Sequence, residues 1–121
     1  MGEVGVVGIR IEQQGPAVLV ILDWPERKNA LGPEDADALA AALREAAARP
    51  DALGVVLTGE GAFCAGVNLK GTLQRAALSP EERRNLIYRS FQGLLRTLLD
   101  LPLPTVAAID GPAIGSGMDL A

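Results

Sequence analysis

The stretch LGVVLTGEGAFCAGVNLKG, residues 53–71, joins an apolar run to a loop that contains four glycines. The run of valine and leucine, closed by Gly59, predicts a short buried β-strand. Glycines allow a backbone to approach a ligand closely, and they leave N–H groups pointing outward. We therefore expect a strand that leads into a binding loop, with a plain tight turn as the alternative interpretation.

Before this stretch, the pattern predicts a hairpin and a helix. Residues 7–24 contain two runs rich in valine and isoleucine on either side of a polar turn at residues 13–16. Residues 33–49 begin with proline, carry acids in the first turn and arginines toward the end, which is typical of a helix. The apolar face of this helix is expected to comprise Leu39, Ala42, Leu43 and Ala46.

After this stretch, the pattern predicts a second helix and a further strand. Ser79 is the expected N-cap, Pro80 the first helical residue, and Glu82 the partner that completes a capping box. Residues 104–111 predict another buried strand. The order β-β-α-β-α-β indicates a layered α/β fold, with sites where strands run into loops. The buried stripe of the second helix is expected to comprise Leu86, Ile87, Phe91, Leu94, Leu95, Leu98 and Leu99.

The segment DGPAIGSGMDLA, residues 110–121, is a second glycine-rich loop that leads into a helix-like run. Neither loop contains the G-x-x-x-x-G-K-[ST] of a P-loop, and neither fits a Rossmann fingerprint. The chain has no histidine, which excludes Ser-His and Cys-His catalysis and histidine metal sites within it. The remaining chemical interpretation is a backbone anion or oxyanion site at a helix start, with Asp119 one turn further on.

Composition narrows the functional classes. A chain of 121 residues is one small domain, large enough to bury a core. A formal charge of −4 and 3% aromatic residues argue against a nucleic-acid surface. The single cysteine, Cys64, fits a reducing compartment, and no signal peptide or membrane-spanning run is present in the sequence. We expect a soluble cytoplasmic protein without nucleic-acid or membrane partners.

Three segments together resemble one family. WPERKNAL, GEGAFCAGVNL and AAIDGPAIGSGMDLA are similar, in order and spacing, to three signatures of the enoyl-CoA hydratase/isomerase (crotonase) family. Those signatures read roughly P-x-x-x-N-A-L, G-x-x-F-C-A-G-x-D-L and A-x-x-x-G-x-A-x-G-G-G-x-E-L-A. The resemblance implies a ClpP/crotonase spiral of repeated ββα units. Residues 1–121 would be the N-terminal part of that core domain, without the second catalytic acid and the trimerisation helices.

The resemblance also implies a chemistry. Such enzymes, lyases or isomerases, bind an acyl-CoA thioester as substrate without a separate cofactor or metal, and stabilise its enolate between two backbone N–H groups. By motif position the donors would be the N–H groups of Val67 and Ser116. Lys28 and Arg27 would meet the CoA phosphates, with ordinary solvated charges as the alternative. The other residues expected to contact substrate or CoA are Ala30, Ala65, Gly66, Asn68, Leu69 and Gly115.

Asp119 departs from the glutamate that hydratases of this family commonly carry. The aspartate side chain is one methylene shorter than glutamate, and this shift of the carboxylate would disfavour one reaction and favour another. Aspartate at this position also resembles the dienoyl-CoA isomerases of the family. Three alternatives stay open: a hydratase, an isomerase that adds no water, and a catalytically incomplete acyl-CoA-binding subunit. A purely structural Asp119 is a further alternative.

The family also implies a homo-oligomer, either a trimer or a hexamer. Cys64, Trp24 and Tyr88 are expected to serve in packing.

Overall fold

The computed structural model describes residues 4–6, 8–68 and 77–121, and within them five strands form one sheet in chain order. The first three strands are antiparallel, whereas the third, fourth and fifth are parallel. This confirms the predicted hairpin, with its turn at Gly15 and Pro16, and adds one strand before it. The strands are β1 (Val4–Val6), β2 (Ile9–Gln14), β3 (Ala17–Leu22), β4 (Gly54–Gly59) and β5 (Thr105–Ala108).

The helices lie in the two β-α-β connections and after β5. Helix α1 (Pro33–Ala47) joins β3 to β4, and helix α2 (Pro80–Asp100) precedes β5. The predicted capping box of α2 is present: the Ser79 hydroxyl accepts from the Glu82 N–H, and the Glu82 carboxylate accepts from the Ser79 N–H. Helix α3 (Ser116–Leu120) is a short terminal turn. Helix α1 ends two residues before the predicted position, because the chain turns at residues 48–51.

The core lies between one face of the sheet and α1. Strand periodicity puts alternate side chains on this face, and the register aligns them across strands: Ile11 lies opposite Val20, and Val20 opposite Leu57. Leu39 and Leu43 of α1 are fully buried, as predicted. Helix α2 packs against α1 rather than directly on the sheet. The result is a sheet covered by α1, with α2 as an outer layer.

Two burial predictions are wrong. Leu99 is 85% exposed, because it lies five residues after the buried Leu94 and so about 140° around the helix from it. The strand predicted at residues 104–111 is shorter, and β5 is largely exposed, with Val106 at 59%. Among the described residues β5 forms the end of the sheet, and of its four residues only Ala107 is partly buried against the core.

Within the described residues, no helix combines the length and the apolar character that crossing a membrane requires.

Replacing Leu94 by alanine is expected to lower the free energy of unfolding by about 2–5 kcal/mol, because truncating a fully buried leucine leaves a cavity. Leu99→Ala on the same helix is expected to change it by less than about 0.5 kcal/mol, because that side chain faces solvent. Urea denaturation followed by circular dichroism measures both. Equal effects of the two substitutions would contradict this orientation of α2.

Candidate active site

The turn before α1 is built around the side chain of Asn29, which is fully buried. Its amide oxygen accepts a hydrogen bond from the Trp24 N–H at 2.7 Å. Its amide nitrogen donates to the carbonyl oxygens of Ala62 at 2.7 Å and Glu60 at 3.2 Å. This one side chain joins the Asn29 turn (residues 23–31) to loop 1 (residues 60–68), which follows β4.

An ion cluster holds the same two segments from the outside. The Arg10 guanidinium on β2 pairs with the carboxylate of Asp23 at 2.7 Å and with that of Glu60 at 3.1 Å. Partly exposed ion pairs contribute little stability individually. Their common cation nevertheless ties β2, the start of the Asn29 turn and the start of loop 1 to one another.

Loop 1 runs beside the Asn29 turn as a short parallel ladder. The Ala65 N–H donates to the Lys28 carbonyl oxygen at 3.0 Å, and the Leu31 N–H donates to the Gly66 carbonyl oxygen at 2.7 Å. The Asn68 N–H then donates to the Leu31 carbonyl oxygen, also at 2.7 Å. The backbone of loop 1 is therefore positioned by the turn.

Loop 2 (residues 109–115) pairs with loop 1 in turn. The Cys64 N–H donates to the Pro112 carbonyl oxygen at 3.1 Å, and the Ile114 N–H donates to the Cys64 carbonyl oxygen at 3.0 Å. Gly117, in α3, lies directly on that carbonyl, where a Cβ atom would overlap the oxygen. The close approach requires glycine at this position.

The two predicted donors lie on these joined segments. Val67 is bridged to Leu31, and a residue at the centre of a parallel bridge directs its own N–H away from its partner. Ser116 is the first residue of α3, so its N–H has no acceptor within the helix. Neither N–H donates to an acceptor among the described residues. A Cβ placed on Gly66 would lie 3.3 Å from the Ser116 nitrogen, which shows how closely the two loops approach.

Both donors border one cleft of about 630 Å³, a size that suits a small-molecule ligand. Val67, Ser116, Asp119 and Leu120 line one side of it. The other side is α2, whose apolar lining residues are Ile87, Phe91 and Leu95. The structure thus brings together the three residues predicted to be catalytic.

The cleft carries charges of both signs. Arg83 and Arg84 line it near the start of α2, and the exposed Asp119 lies on the opposite side. Asp119 is the only carboxylate that lines the cleft among the described residues. A largely apolar cleft that contains a carboxylate and is bordered by two residues whose N–H groups are unpaired within the described part of the chain is suited to proton transfer next to a polarised carbonyl group.

The remaining predicted contact residues are not among the described residues that line the cleft. Ala65, Gly66 and Asn68 form the ladder with the Asn29 turn, and Gly115 precedes α3. Ala30 is half-buried in the turn, where its N–H donates to the Arg27 carbonyl oxygen. Leu69 lies outside the described residues.

The two predicted phosphate contacts differ in their surroundings. The Arg27 guanidinium pairs with the Asp35 carboxylate at 2.8 Å and lies over the Trp24 ring at 4.4 Å from its centroid. The Lys28 side chain is exposed. Because the charge of Arg27 is already neutralised by a neighbour, Lys28 is the better placed of the two to meet an anionic ligand.

One wall of the cleft, formed by α2, was not predicted from the sequence. Tyr88 is 58% exposed and lines the cleft, so its assignment to packing is wrong. It lies next to Ile87 at the border of the apolar stripe and four residues after Arg84, on the same side of the helix. That spacing could have indicated that Tyr88 lies at the edge of the apolar stripe, where it is exposed. Trp24 and Cys64 are buried in the core cluster, in agreement with their assignment.

Cys64 is not an activated nucleophile. Burial raises the pKa of its thiol, and the hydrogen bond from the Gly66 N–H offsets this only in part. A thiol with a raised pKa stays protonated near neutral pH and reacts slowly. Its protonated form retains an S–H donor inside the site.

Comparison with known proteins gives a consistent result. The family model described as "Enoyl-CoA hydratase/isomerase" matches residues 12–121. A "Probable enoyl-CoA hydratase" of Mycobacterium bovis is 42% identical over 110 residues, which are 89% of this chain and 41% of that protein. A Thermus thermophilus relative is 41% identical over 113 residues, which are 90% of this chain and 43% of that protein.

Solved structures share the fold. The crystal structure of an enoyl-CoA hydratase from Polaromonas sp. JS666 superposes with a TM-score of 0.83 at 35% identity, over 93% of this chain and 44% of that one. A Pseudomonas aeruginosa protein superposes with a TM-score of 0.84 at 32% identity, over 94% and 48% of the two chains. The fold is therefore crotonase-like, and the chain spans less than half the length of these relatives.

Gly117→Ala is expected to separate loop 2 from loop 1, because the new methyl group would overlap the Cys64 carbonyl oxygen. The cost is expected to be about 1–3 kcal/mol of unfolding free energy, as for other overpacking substitutions. Gly93→Ala is the matched control: nothing lies within 4 Å of its Cβ position, so this change in a helix is expected to stabilise by up to about 1 kcal/mol. Thermal unfolding of both variants measures the difference. A Gly117→Ala protein as stable as the parent would contradict this contact.

Proposed function

The chain belongs to the enoyl-CoA hydratase/isomerase family, and from this premise we propose that it binds an acyl-CoA thioester and stabilises its enolate. The observation that carries the proposal is the pair of N–H groups, on Val67 and Ser116, at the border of one apolar cleft. Both lie on segments fixed by backbone hydrogen bonds. Donors that are already oriented stabilise developing charge without reorganising during the reaction.

The thioester carbonyl oxygen would accept both hydrogen bonds. Removing a proton from the carbon next to a thioester moves negative charge onto that oxygen. In other enzymes, loss of one such donor costs about 2.7–4 kcal/mol of transition-state stabilisation. Two donors therefore supply a substantial part of the energy needed to form the enolate at neutral pH.

The cleft and its surroundings suit the other parts of such a substrate. The apolar side chains of Ile87, Phe91 and Leu95 offer a surface for the acyl chain. The exposed ammonium group of Lys28 is a candidate contact for the anionic phosphates of CoA, as the motif predicts. Formation of a homo-oligomer stays a prediction of the family resemblance.

Asp119 is the residue that we expect to transfer protons. It lies one turn after Ser116, on the same short helix that presents the second donor. Adding water needs one group to activate the water and another to handle the α-proton, whereas shifting a double bond can use a single carboxylate. The shorter reach of Asp119, compared with the glutamate common in hydratases of the family, supports isomerisation as the second candidate function, beside hydration.

Binding is tested by calorimetric titration with crotonyl-CoA, and with free crotonate as the comparison ligand. Crotonyl-CoA is expected to bind at least about tenfold more tightly, because binding energy comes from the CoA part as well. Gly66→Pro is expected to abolish binding, because proline cannot adopt the φ of +93° found there. Leu99→Ala, far from loop 1 and exposed, is the control and is expected to bind like the parent. No detectable binding at millimolar crotonyl-CoA would refute the proposal.

Asp119→Asn is expected to lower turnover of enoyl-CoA substrates by about 10²–10⁴-fold, the usual contribution of a general acid or base. Its dissociation constant for the substrate is expected to stay within about threefold, because the side chain is exposed at the edge of the cleft. Asp37→Asn, exposed on α1, removes the same charge as a control. Asp119→Glu tests reach: faster hydration would show that the length of the side chain limits the reaction. Loss of binding alone in Asp119→Asn would indicate a structural role.

A further inference from the structure

We propose that the Asn29 backbone carbonyl and the Cys64 thiol form a hydrogen-bond relay that sets the direction of the Val67 N–H. In this relay, Asn29 and Cys64 are positioning residues that act through the backbone of loop 1. The significance of the relay for catalysis rests on the proposed function. Its existence as a device that orders loop 1 rests on the structure alone.

The relay starts from a side chain with little freedom to move. Asn29 is fully buried, and its amide makes three hydrogen bonds, one accepted and two donated. Its backbone has a φ of +58°, a conformation that asparagine tolerates better than most residues. Because the amide fixes the turn from both sides, the direction of the Asn29 carbonyl is fixed as well.

The Cys64 thiol continues the relay. Its sulfur lies 3.2 Å from the Asn29 carbonyl oxygen, to which the S–H donates. The Gly66 N–H donates to the same sulfur at 3.4 Å. The thiol is therefore donor on one side and acceptor on the other, which is possible only for the protonated form. Complete burial of the side chain favours that form.

The peptide group between Gly66 and Val67 is the end point of the relay. In a trans peptide the C=O and the following N–H point in opposite directions. The Gly66 C=O is held by the Leu31 N–H at 2.7 Å, which directs the Val67 N–H away from the turn. The thiol holds the other side of Gly66, whose φ of +93° makes the chain turn there. Both constraints on Gly66 start from the Asn29 turn.

The relay explains a choice of residues that packing leaves open. Alanine would fit at position 64 without steric conflict, but it has no group that can accept from the Gly66 N–H and donate to the Asn29 carbonyl oxygen. Serine has both functions on a shorter side chain, so it would restore the relay in part. These two substitutions therefore separate hydrogen bonding from the space that the side chain fills.

The test compares the full-length protein with Cys64→Ala, Cys64→Ser and a control, Val18→Ala, which truncates a fully buried residue of β3 away from loop 1. The first measurement is amide hydrogen exchange at Gly66 in the ligand-free protein, because the Gly66 N–H is the group that donates to the thiol. Cys64→Ala is expected to accelerate exchange at Gly66 by about tenfold, the loss of one hydrogen bond in a buried setting. Cys64→Ser is expected to fall between parent and Cys64→Ala, and Val18→Ala is expected to leave the ratio of Gly66 exchange to that of the β4 amides unchanged.

The second measurement is steady-state turnover of crotonyl-CoA by the same proteins. Cys64→Ala is expected to lower kcat by about tenfold with KM within twofold, because a misdirected donor weakens the transition state more than the ground state. Cys64→Ser is expected to recover part of the kcat.

The outcomes are separable. Unchanged exchange at Gly66 in Cys64→Ala overturns the relay, whatever the activity. Faster exchange with unchanged kcat overturns its catalytic role. Faster exchange in a protein whose parent neither binds nor converts crotonyl-CoA refutes the proposed function and leaves the ordering of loop 1 supported. A similar loss of kcat in Val18→Ala would show that general destabilisation, rather than the relay, is responsible.

Discussion

The buried amide of Asn29 is the constraint on which the site depends. It makes one hydrogen bond to the turn that contains it and two to the start of loop 1, with no exposed surface. Removing one partner from a buried polar network leaves the others unsatisfied, at about 1–3 kcal/mol for each group. The network therefore has one favourable arrangement, and loop 1 takes its course from it.

The rest of the site is built in layers on that arrangement. The Asn29 turn positions loop 1 through a ladder of backbone hydrogen bonds, and loop 1 positions loop 2 through Cys64. Loop 2 then sets the start of α3, where Gly117 allows close contact with the Cys64 carbonyl. A substitution that moves the Asn29 turn would displace the N–H groups of both Val67 and Ser116, whereas a substitution at Gly117 would displace only that of Ser116. The Arg10 ion cluster further holds the Asn29 turn to the start of loop 1, and the positions of loop 1, loop 2 and α3 all depend on that junction.

Local patterns predicted the hairpin and the helices, and motif positions predicted the two proposed donors. Neither predicted which side chains are buried or which element forms the other wall of the cleft. The hairpin and both long helices followed from periodicity and capping, which depend on residues close in sequence. The exposure of Leu99 and of β5 depends on which neighbours are present, and periodicity alone does not contain that information. The wall formed by α2 and the place of Tyr88 within it were missed for the same reason. Asn29 and Cys64 are 35 residues apart, so their contact is visible only in three dimensions.

The groups of the proposed site come from two sources, the backbone and the side chains. The two proposed donors are backbone N–H groups, so replacing Val67 or Ser116 by any residue other than proline does not remove them. Only residues that move the backbone, such as Gly66, Gly117 or the pair Asn29 and Cys64, can alter the donors. The exposed side chains of the cleft, such as Arg84, Tyr88 and Asp119, can by contrast change without moving this backbone, because they face solvent. In the proposed function, enolate stabilisation would thus depend on the fold, whereas Asp119 and the residues around it would determine how the enolate is protonated.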